Sequence, residues 1–240
     1  MALFSTLNAI MAGGFQPIAV DFNGASNATR TSDFTGLSDS STGIFMCWVR
    51  NDTTSNKIVI TNGGGGGFAV ALDTTVGISL SASAANINIT SSALSTGTWY
   101  QILAAWNTNF TSGNRIFQLY INDVANGTVS GDSGGAFQVD YTSGAWAVGS
   151  GISGGQYYDG CMAEMYFAPG QYLDISVSAN RRKFIGVDGR PVFLGTEGSL
   201  PTGVAPILYL RNPPVSFGTN SGTGGDLLVS GTLTSCSSSP

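Results

Sequence analysis

Thr98-Trp99-Tyr100-Gln101-Ile102-Leu103-Ala104-Ala105-Trp106 is followed by Phe117-Gln118-Leu119-Tyr120-Ile121-Asn122-Asp123, then Ala147-Val148-Gly149, then Tyr158-Asp159-Gly160-Cys161-Met162-Ala163-Glu164-Met165. These four runs read as consecutive strands, and their reading decides the fold. Phe117, Leu119 and Ile121 share one parity and are expected to face a core.

The same punctuation extends to both sides. Ile18–Phe22 is a short apolar run before the turn signal Asn23-Gly24. Ile44–Arg50 is apolar on both parities, as a strand buried between layers is. Ile58–Ile60 and Phe68–Leu72 follow, then Ile78-Ser79-Leu80 and Ile87-Asn88-Ile89, which alternate with period two as half-exposed strands do. Arg190–Leu194, Ile207–Leu210 and Asp226–Leu233 are expected as later strands. One helix is expected over Ile175–Ile185, capped by Asp174 and ended by Gly186 in a left-handed conformation. Many short strands at regular spacing predict an all-β fold, a two-sheet antiparallel jelly-roll sandwich with one short helix near 175–185. The expected division is an N-terminal arm over 1–17, one sandwich domain over 18–234 and a tail over 235–240.

Composition narrows the function classes. Charged residues make up 10% of the 240, against about 25% in ordinary domains. So low a charge leaves few groups to keep a free monomer soluble, and hints at an assembled protein with a partly covered surface. Net charge is −5 with nine Lys and Arg, which argues against direct nucleic-acid binding because phosphate neutralisation needs a basic stripe. The apolar stretches fall far short of the ~20 residues a membrane helix requires. Met1–Gly14 has apolar runs but no Lys or Arg ahead of them, so no secretory signal peptide is expected. Cys47, Cys161 and Cys236 are expected as free thiols made in a reducing cytoplasm, with a Cys47–Cys161 bridge as the alternative.

In their order and spacing the four opening runs resemble the laminin-G-like members of the concanavalin A-like lectin/glucanase superfamily. Trp99 stands where such domains open a core strand, and Leu119-Tyr120-Ile121-Asn122-Asp123 matches a strand of the type Leu-Tyr-Val-Asn-Gly, with Asp123 where Gly is usual. Asp also tolerates a turn position with positive φ. Asp159-Gly160-Cys161-Met162-Ala163-Glu164 matches the family's Asp-Gly-x-Ile-x-Glu strand, and Phe45–Arg50 its Trp-Val-Arg strand. The likeness covers about residues 18–170. Beyond it, Asn180-Arg181-Arg182-Lys183-Phe184, Gly189–Val192 and Ala205–Leu210 resemble the C-terminal part of laminin-G-like proteins of tailed phages and prophages. The resemblance implies a virion structural protein.

Catalysis of the glucanase type needs paired carboxyl groups about 5 Å apart, and Cys161–Phe167 carries the single acid Glu164. Glu164 is expected as a structural carboxylate. Histidine is absent, so no serine triad can form and the commonest general base is missing. Gly63–Gly67 lacks the ending of a phosphate loop and reads as a hairpin or contact loop. Family members hold Ca²⁺ at the sandwich rim. Asp21, Asp52, Asp132 and Asp159 are available oxygen ligands, but none sits in a spaced acidic loop, so neither a metal nor a cofactor is assigned.

Trp146, Tyr157 and Tyr158 lie beside glycine-rich turns and are the candidate stacking residues for a glycan; the competing reading is core edge or subunit contact. Trp48, Trp99 and Trp106 are expected in the core. Arg181, Arg182 and Lys183 either complement the helix dipole or meet an acidic neighbour in an assembly. Two functions remain. One is a non-enzymatic virion protein of a tailed phage (head decoration, fibre or tail component), made in the host cytoplasm, whose partners are other virion proteins and copies of itself. The other is a carbohydrate-binding adhesion module that contacts host glycans.

Overall fold

The computed structural model describes residues 14–63, 67–82, 85–142 and 144–240. Most of the expected N-terminal arm and the centre of the glycine run lie outside these. The strands are β1 (Val20–Asn23), β2 (Asn27–Arg30), β3 (Thr42–Asn51), β4 (Lys57–Thr61), β5 (Phe68–Leu72), β6 (Val76–Ala82), β7 (Ala85–Thr90), β8 (Trp99–Asn107), β9 (Ile116–Ile121), β10 (Val124–Ala125), β11 (Thr128–Ser133), β12 (Trp146–Val148), β13 (Asp159–Pro169), β14 (Leu208–Leu210), β15 (Leu228–Ser230) and β16 (Thr234–Ser235).

They build two antiparallel sheets. Sheet one runs β10-β9-β8-β3-β13-β1-β16, with β14 also paired to β13; sheet two runs β11-β7-β6-β5-β4-β12-β2-β15. The expected sandwich is therefore present. Between the sheets, Phe45, Cys47 and Val49 of β3 and Ile102, Ala104 and Trp106 of β8 meet Val70, Ile78, Leu80 and Ile87 of sheet two, all buried. At the centre Phe68 stacks on Phe167 at 4.7 Å between ring centroids and on Trp106 at 5.5 Å. Such aromatic pairs add to the gain from area burial.

A second core lies on the far side of sheet one. Ile44, Met46, Trp48, Leu103, Ala105, Ala163, Tyr166 and Ala168 are buried there beneath Ile175, Phe184, Ile185, Leu194 and Tyr209. Both faces of β3, β8 and β13 are thus covered, which is why those strands are apolar on both parities. The segment from about residue 171 to β14 forms this roof.

The roof holds less regular structure than expected. Its helix, α1, is Ser178–Arg181, with Val177 at the N-cap and no side-chain cap. Asp174 does not cap it. Its Oδ1 accepts instead from the Ser176 amide at 3.0 Å and from Gln118 Nε2 at 2.6 Å, while Gln118 Oε1 accepts from the Ile175 amide at 2.9 Å. The first residues are therefore bound to β9 and turn before the helix begins. Gly186 is not left-handed; Gly189 is, at φ 78°. Arg190–Leu194 makes only a bridge, Ile185 to Pro191. Asp226–Leu233 is divided: Leu228–Ser230 joins sheet two, and the chain then crosses to pair Thr234 and Ser235 with β1.

The cysteine expectation is corrected. Cys161 and Cys236, 75 residues apart, form a disulfide, and Cys47 is the buried free thiol. Cys47 and Cys161 lie on neighbouring strands but not opposite one another, since Cys161 pairs with Arg50. β16 brings Cys236 alongside instead. The last residues are held further: the Cys236 amide donates to Ala19 O at 3.0 Å, and Ser238 Oγ accepts from Arg50 Nη1 at 2.9 Å and Trp99 Nε1 at 3.0 Å. Trp99 is accordingly half-exposed, unlike buried Trp48 and Trp106.

Candidate functional site

The two sheets separate along one side of the sandwich, between β9 and β10 of sheet one and β7 and β11 of sheet two. A cavity of about 500 Å³ opens there, lined by Phe117, Gln118, Leu119, Tyr120, Asn126, Gly127, Thr128 and Thr90–Ser92. Local sequence makes this opening. Asn122 and Asp123, at φ 48° and 67°, form a two-residue turn of the kind that suits strand twist. β10 then pairs only with Tyr120 and Ile121. The Asn126 amide donates to Leu119 O at 2.9 Å, and the chain leaves for sheet two. A Cβ on Gly127 would stand 2.9 Å from Leu119 Cβ and 3.1 Å from Ile89 Cγ2, so only glycine passes here. Among the described residues no strand lies beside Phe117 and Gln118 on this edge.

Asn126 Oδ1 accepts from the Ser92 amide at 2.7 Å and its hydroxyl at 2.8 Å, tying the crossing to the end of β7. The Asn126 side-chain nitrogen Nδ2 and the Thr128 hydroxyl make no hydrogen bond among the described residues. Among the described residues no ionised side chain lines the groove. Phe117 and Tyr120 are both partly exposed but lie on opposite faces of β9: Phe117 stacks on Trp106 at 6.1 Å against the inter-sheet core, and Tyr120 packs beneath the roof. This site was missed in the sequence because its residues come from separate strands of two sheets. The one available signal was the short turn-and-glycine run Asn122–Thr128.

The expected stacking residues lie elsewhere. Trp146 is 0% exposed and packs against Phe34 and Phe167, with centroids at 5.2 and 5.3 Å. Tyr158 is also 0% exposed; its hydroxyl lies 3.1 Å from Arg50 O and 3.3 Å from Cys161 O. Tyr157 is half-buried, with its hydroxyl against the Gly151–Gln156 loop. The three do not form a stacking platform, because Trp146 and Tyr158 point into the sandwich and only Tyr157 is partly exposed.

The basic triplet is engaged within the chain. Arg181 and Arg182 both donate to the Asp123 carboxylate, Arg181 also lies 4.4 Å over the Tyr120 ring, and Lys183 Nζ donates to Pro201 O at 2.9 Å. Partial burial pushes the Asp123 carboxyl up, and the two guanidinium hydrogen bonds outweigh it, leaving it below the usual carboxylate range. These cations clip the roof to the β9–β10 turn.

Glu164 lies where β13 shifts register against β3, between Ala163 and Tyr166, with φ 50°. It is the inserted residue of a bulge. It lies under the roof, 1% exposed, and accepts a hydrogen bond from the Tyr209 hydroxyl. Burial raises its pKa to about 7, against the lowering effects of Tyr209 and Arg211. Among the described residues no second acid pairs with it. Of the four acids considered for calcium, Asp132 is bound by Arg115 and the Gly113 amide. Asp21 and Asp52 gather with Cys161. Two carboxylates and a sulfur do not fit the six to eight oxygen ligands calcium takes.

An antiparallel two-sheet sandwich of this kind is a concanavalin A-like jelly roll. The chain belongs to the Laminin_G_3 family of the concanavalin A-like lectin/glucanases superfamily, whose model matches residues 22–170. No curated protein sequence matches. Among solved structures, a putative carbohydrate binding protein from Bacteroides ovatus aligns with TM-score 0.62 at 14% identity, covering 94% of this chain and 62% of that one. The native heptameric SAP-like pentraxin of Limulus polyphemus aligns with TM-score 0.50 at 13% identity, over 67% of this chain and 79% of that one. The LG1-3 region of the laminin alpha2 chain aligns with TM-score 0.50 at 13% identity, over 64% and 31%. The chain therefore spans less than two thirds of the Bacteroides and laminin chains. No helix among the described residues is long and apolar enough to cross a membrane.

Proposed function

We propose that this protein is a non-enzymatic, lectin-like module that binds an uncharged glycan in the groove between β9–β10 and β7–β11. The observation that carries this is the groove's chemistry: the partly exposed Phe117 ring for stacking, Asn126 and Thr128 for hydroxyl recognition, and no ionised side chain among the described lining residues. Pockets of this kind bind through apolar walls and a few placed polar groups. The superfamily and the carbohydrate-binding description of the Bacteroides protein support the reading. The lone buried Glu164 supports the absence of hydrolysis.

A glycan array with neutral and acidic oligosaccharides tests it. Neutral glycans are expected to bind, and Thr128→Arg, an exposed substitution that fills the groove, is expected to abolish binding without changing the melting temperature. Binding left intact in Thr128→Arg moves the site elsewhere; no binding to any array member removes the reading.

For the setting we propose the surface of a tailed-phage particle, as a head decoration, fibre or tail component assembled with other virion proteins and copies of itself. Its support is the likeness of 180–210 to phage proteins and a surface with few charges. Antibody labelling of purified particles in the electron microscope tests it: label on heads or tails is expected, and unlabelled particles overturn it.

A further inference from the structure

We propose that the protein carries a binding site for a thiophilic divalent cation, zinc being the representative, formed by Cys161, Cys236, Asp21 and Asp52 when the disulfide is reduced. Carboxylate oxygens of Asp21 and Asp52 and the Cys161 sulfur lie within 4.8 Å of one another, and Cys161 Sγ stands 3.8 Å from Asp21 Oδ1. Cys236 is bonded to Cys161, so its sulfur is in the same place. Zinc binds thiolate sulfur at about 2.3 Å and carboxylate oxygen at about 2.0–2.2 Å in a tetrahedron. Donor atoms in such a site stand about 3.3–3.8 Å apart, so after reduction the two sulfurs must part to that spacing by side-chain rotation while the carboxylates close on them.

The backbone holds these donors in register. Asp21 is opposite Cys161 on one side and Thr234 on the other, and Cys161 is opposite Arg50, two residues before Asp52. The four donors therefore come from four adjacent strand ends of one sheet. The charges also fit. Exchanging two thiol protons for one divalent cation leaves the net charge of the cluster unchanged. Arg50, which donates to both Asp52 oxygens at 3.0 and 2.8 Å, offsets part of the anionic ligand set and leaves each oxygen a further lone pair.

The exchange balances. The disulfide takes two electrons and two protons from a dithiol, which becomes a disulfide itself, giving two thiols. Binding the cation then releases those two protons. Oxidation by a disulfide runs the sequence backwards and expels the cation. Either link pins Cys236, and with it the Ser238 contacts, to β13. In a reducing cytoplasm the metal would hold the tail; in an oxidising exterior the disulfide would.

The test reduces the full chain with a phosphine under anaerobic conditions and titrates it with Co²⁺. One cobalt per chain is expected, with the near-ultraviolet thiolate-to-cobalt charge-transfer band, and Zn²⁺ is expected to displace it. The oxidised protein is expected to show no such band. Asp21→Asn is expected to weaken cobalt binding at least about tenfold with an unchanged far-ultraviolet circular dichroism spectrum, and Cys236→Ser to remove tight binding. Absence of the band in reduced wild-type protein overturns the site. Wild-type affinity in Asp21→Asn or Cys236→Ser overturns the ligand set.

Discussion

The two sheets differ in what covers their outer faces. Sheet one presents Ile44, Met46, Trp48, Leu103 and Tyr166 outward, and the roof of residues 171–211 buries them. Sheet two presents Ala69, Ala71, Gly77, Ser79, Asn86 and Asn88, none of them buried. The first face is large and apolar, the second small and polar. An uncovered face needs side chains that water tolerates, and a covered one needs area to offset the ordering of its cover. The roof is therefore an extension of the sandwich's hydrophobic packing, applied to one sheet alone.

Substitutions can break this comparison. Phe184→Ala in the roof and Trp146→Ala between the sheets should each cost about 3–5 kcal/mol in chemical denaturation, since both residues are fully buried. A much smaller cost for Phe184→Ala would make the roof a loose attachment and sheet one a half-open layer. For Trp146, loss of glycan binding with full stability would reverse its placement.

The roof should also respond to pH. Burial keeps Glu164 protonated to about pH 7, above its ordinary 4.5. The stability this contributes is fully present below 4.5 and is lost as pH rises through 7, by roughly 3 kcal/mol. Glu164→Gln should flatten that part of the stability profile. An unchanged slope would place the carboxylate in water and open the roof at the bulge. Tyr209, Arg211, Cys47 and Tyr166 surround this group, and none carries an ordinary pKa in the same window.

Cys236→Ser removes the staple between β13 and β16 and should cost about 2–4 kcal/mol in the oxidised protein. Ser79→Ala on the bare face of sheet two should change stability by no more than about 0.5 kcal/mol. A large loss there would mean that the face is covered in the assembled protein, which size measurements on wild type and variant would reveal.

Several features were legible from residue order. Period-two alternation at Ile78–Leu80 and Ile87–Ile89 marked the sheet with one wet face, and the double-sided apolar run Ile44–Arg50 marked the sheet with none. Asp123 was readable as a left-handed turn residue because aspartate tolerates that conformation. The helix over 175–185 was not: its apolar positions suit a helix, but Gln118 and Asp174 bind its first residues in a turn, and that contact spans 57 residues of sequence. Trp146 beside Gly144 left two readings open, a stacking residue or a core-edge residue, because sequence neighbours do not tell which way a strand faces when its partner strands are unknown.

By itself the sequence determined the long central strands, the antiparallel sandwich, the family and the absence of histidine-based chemistry, because strand pattern and residue type are local properties. The tertiary structure decided the Cys161–Cys236 pairing, the engagement of Arg181 and Arg182 by Asp123, the burial of Trp146 and Tyr158, and the groove beside Phe117. Each depends on which distant segments lie side by side, and the packing energy that selects those neighbours is summed over the whole fold.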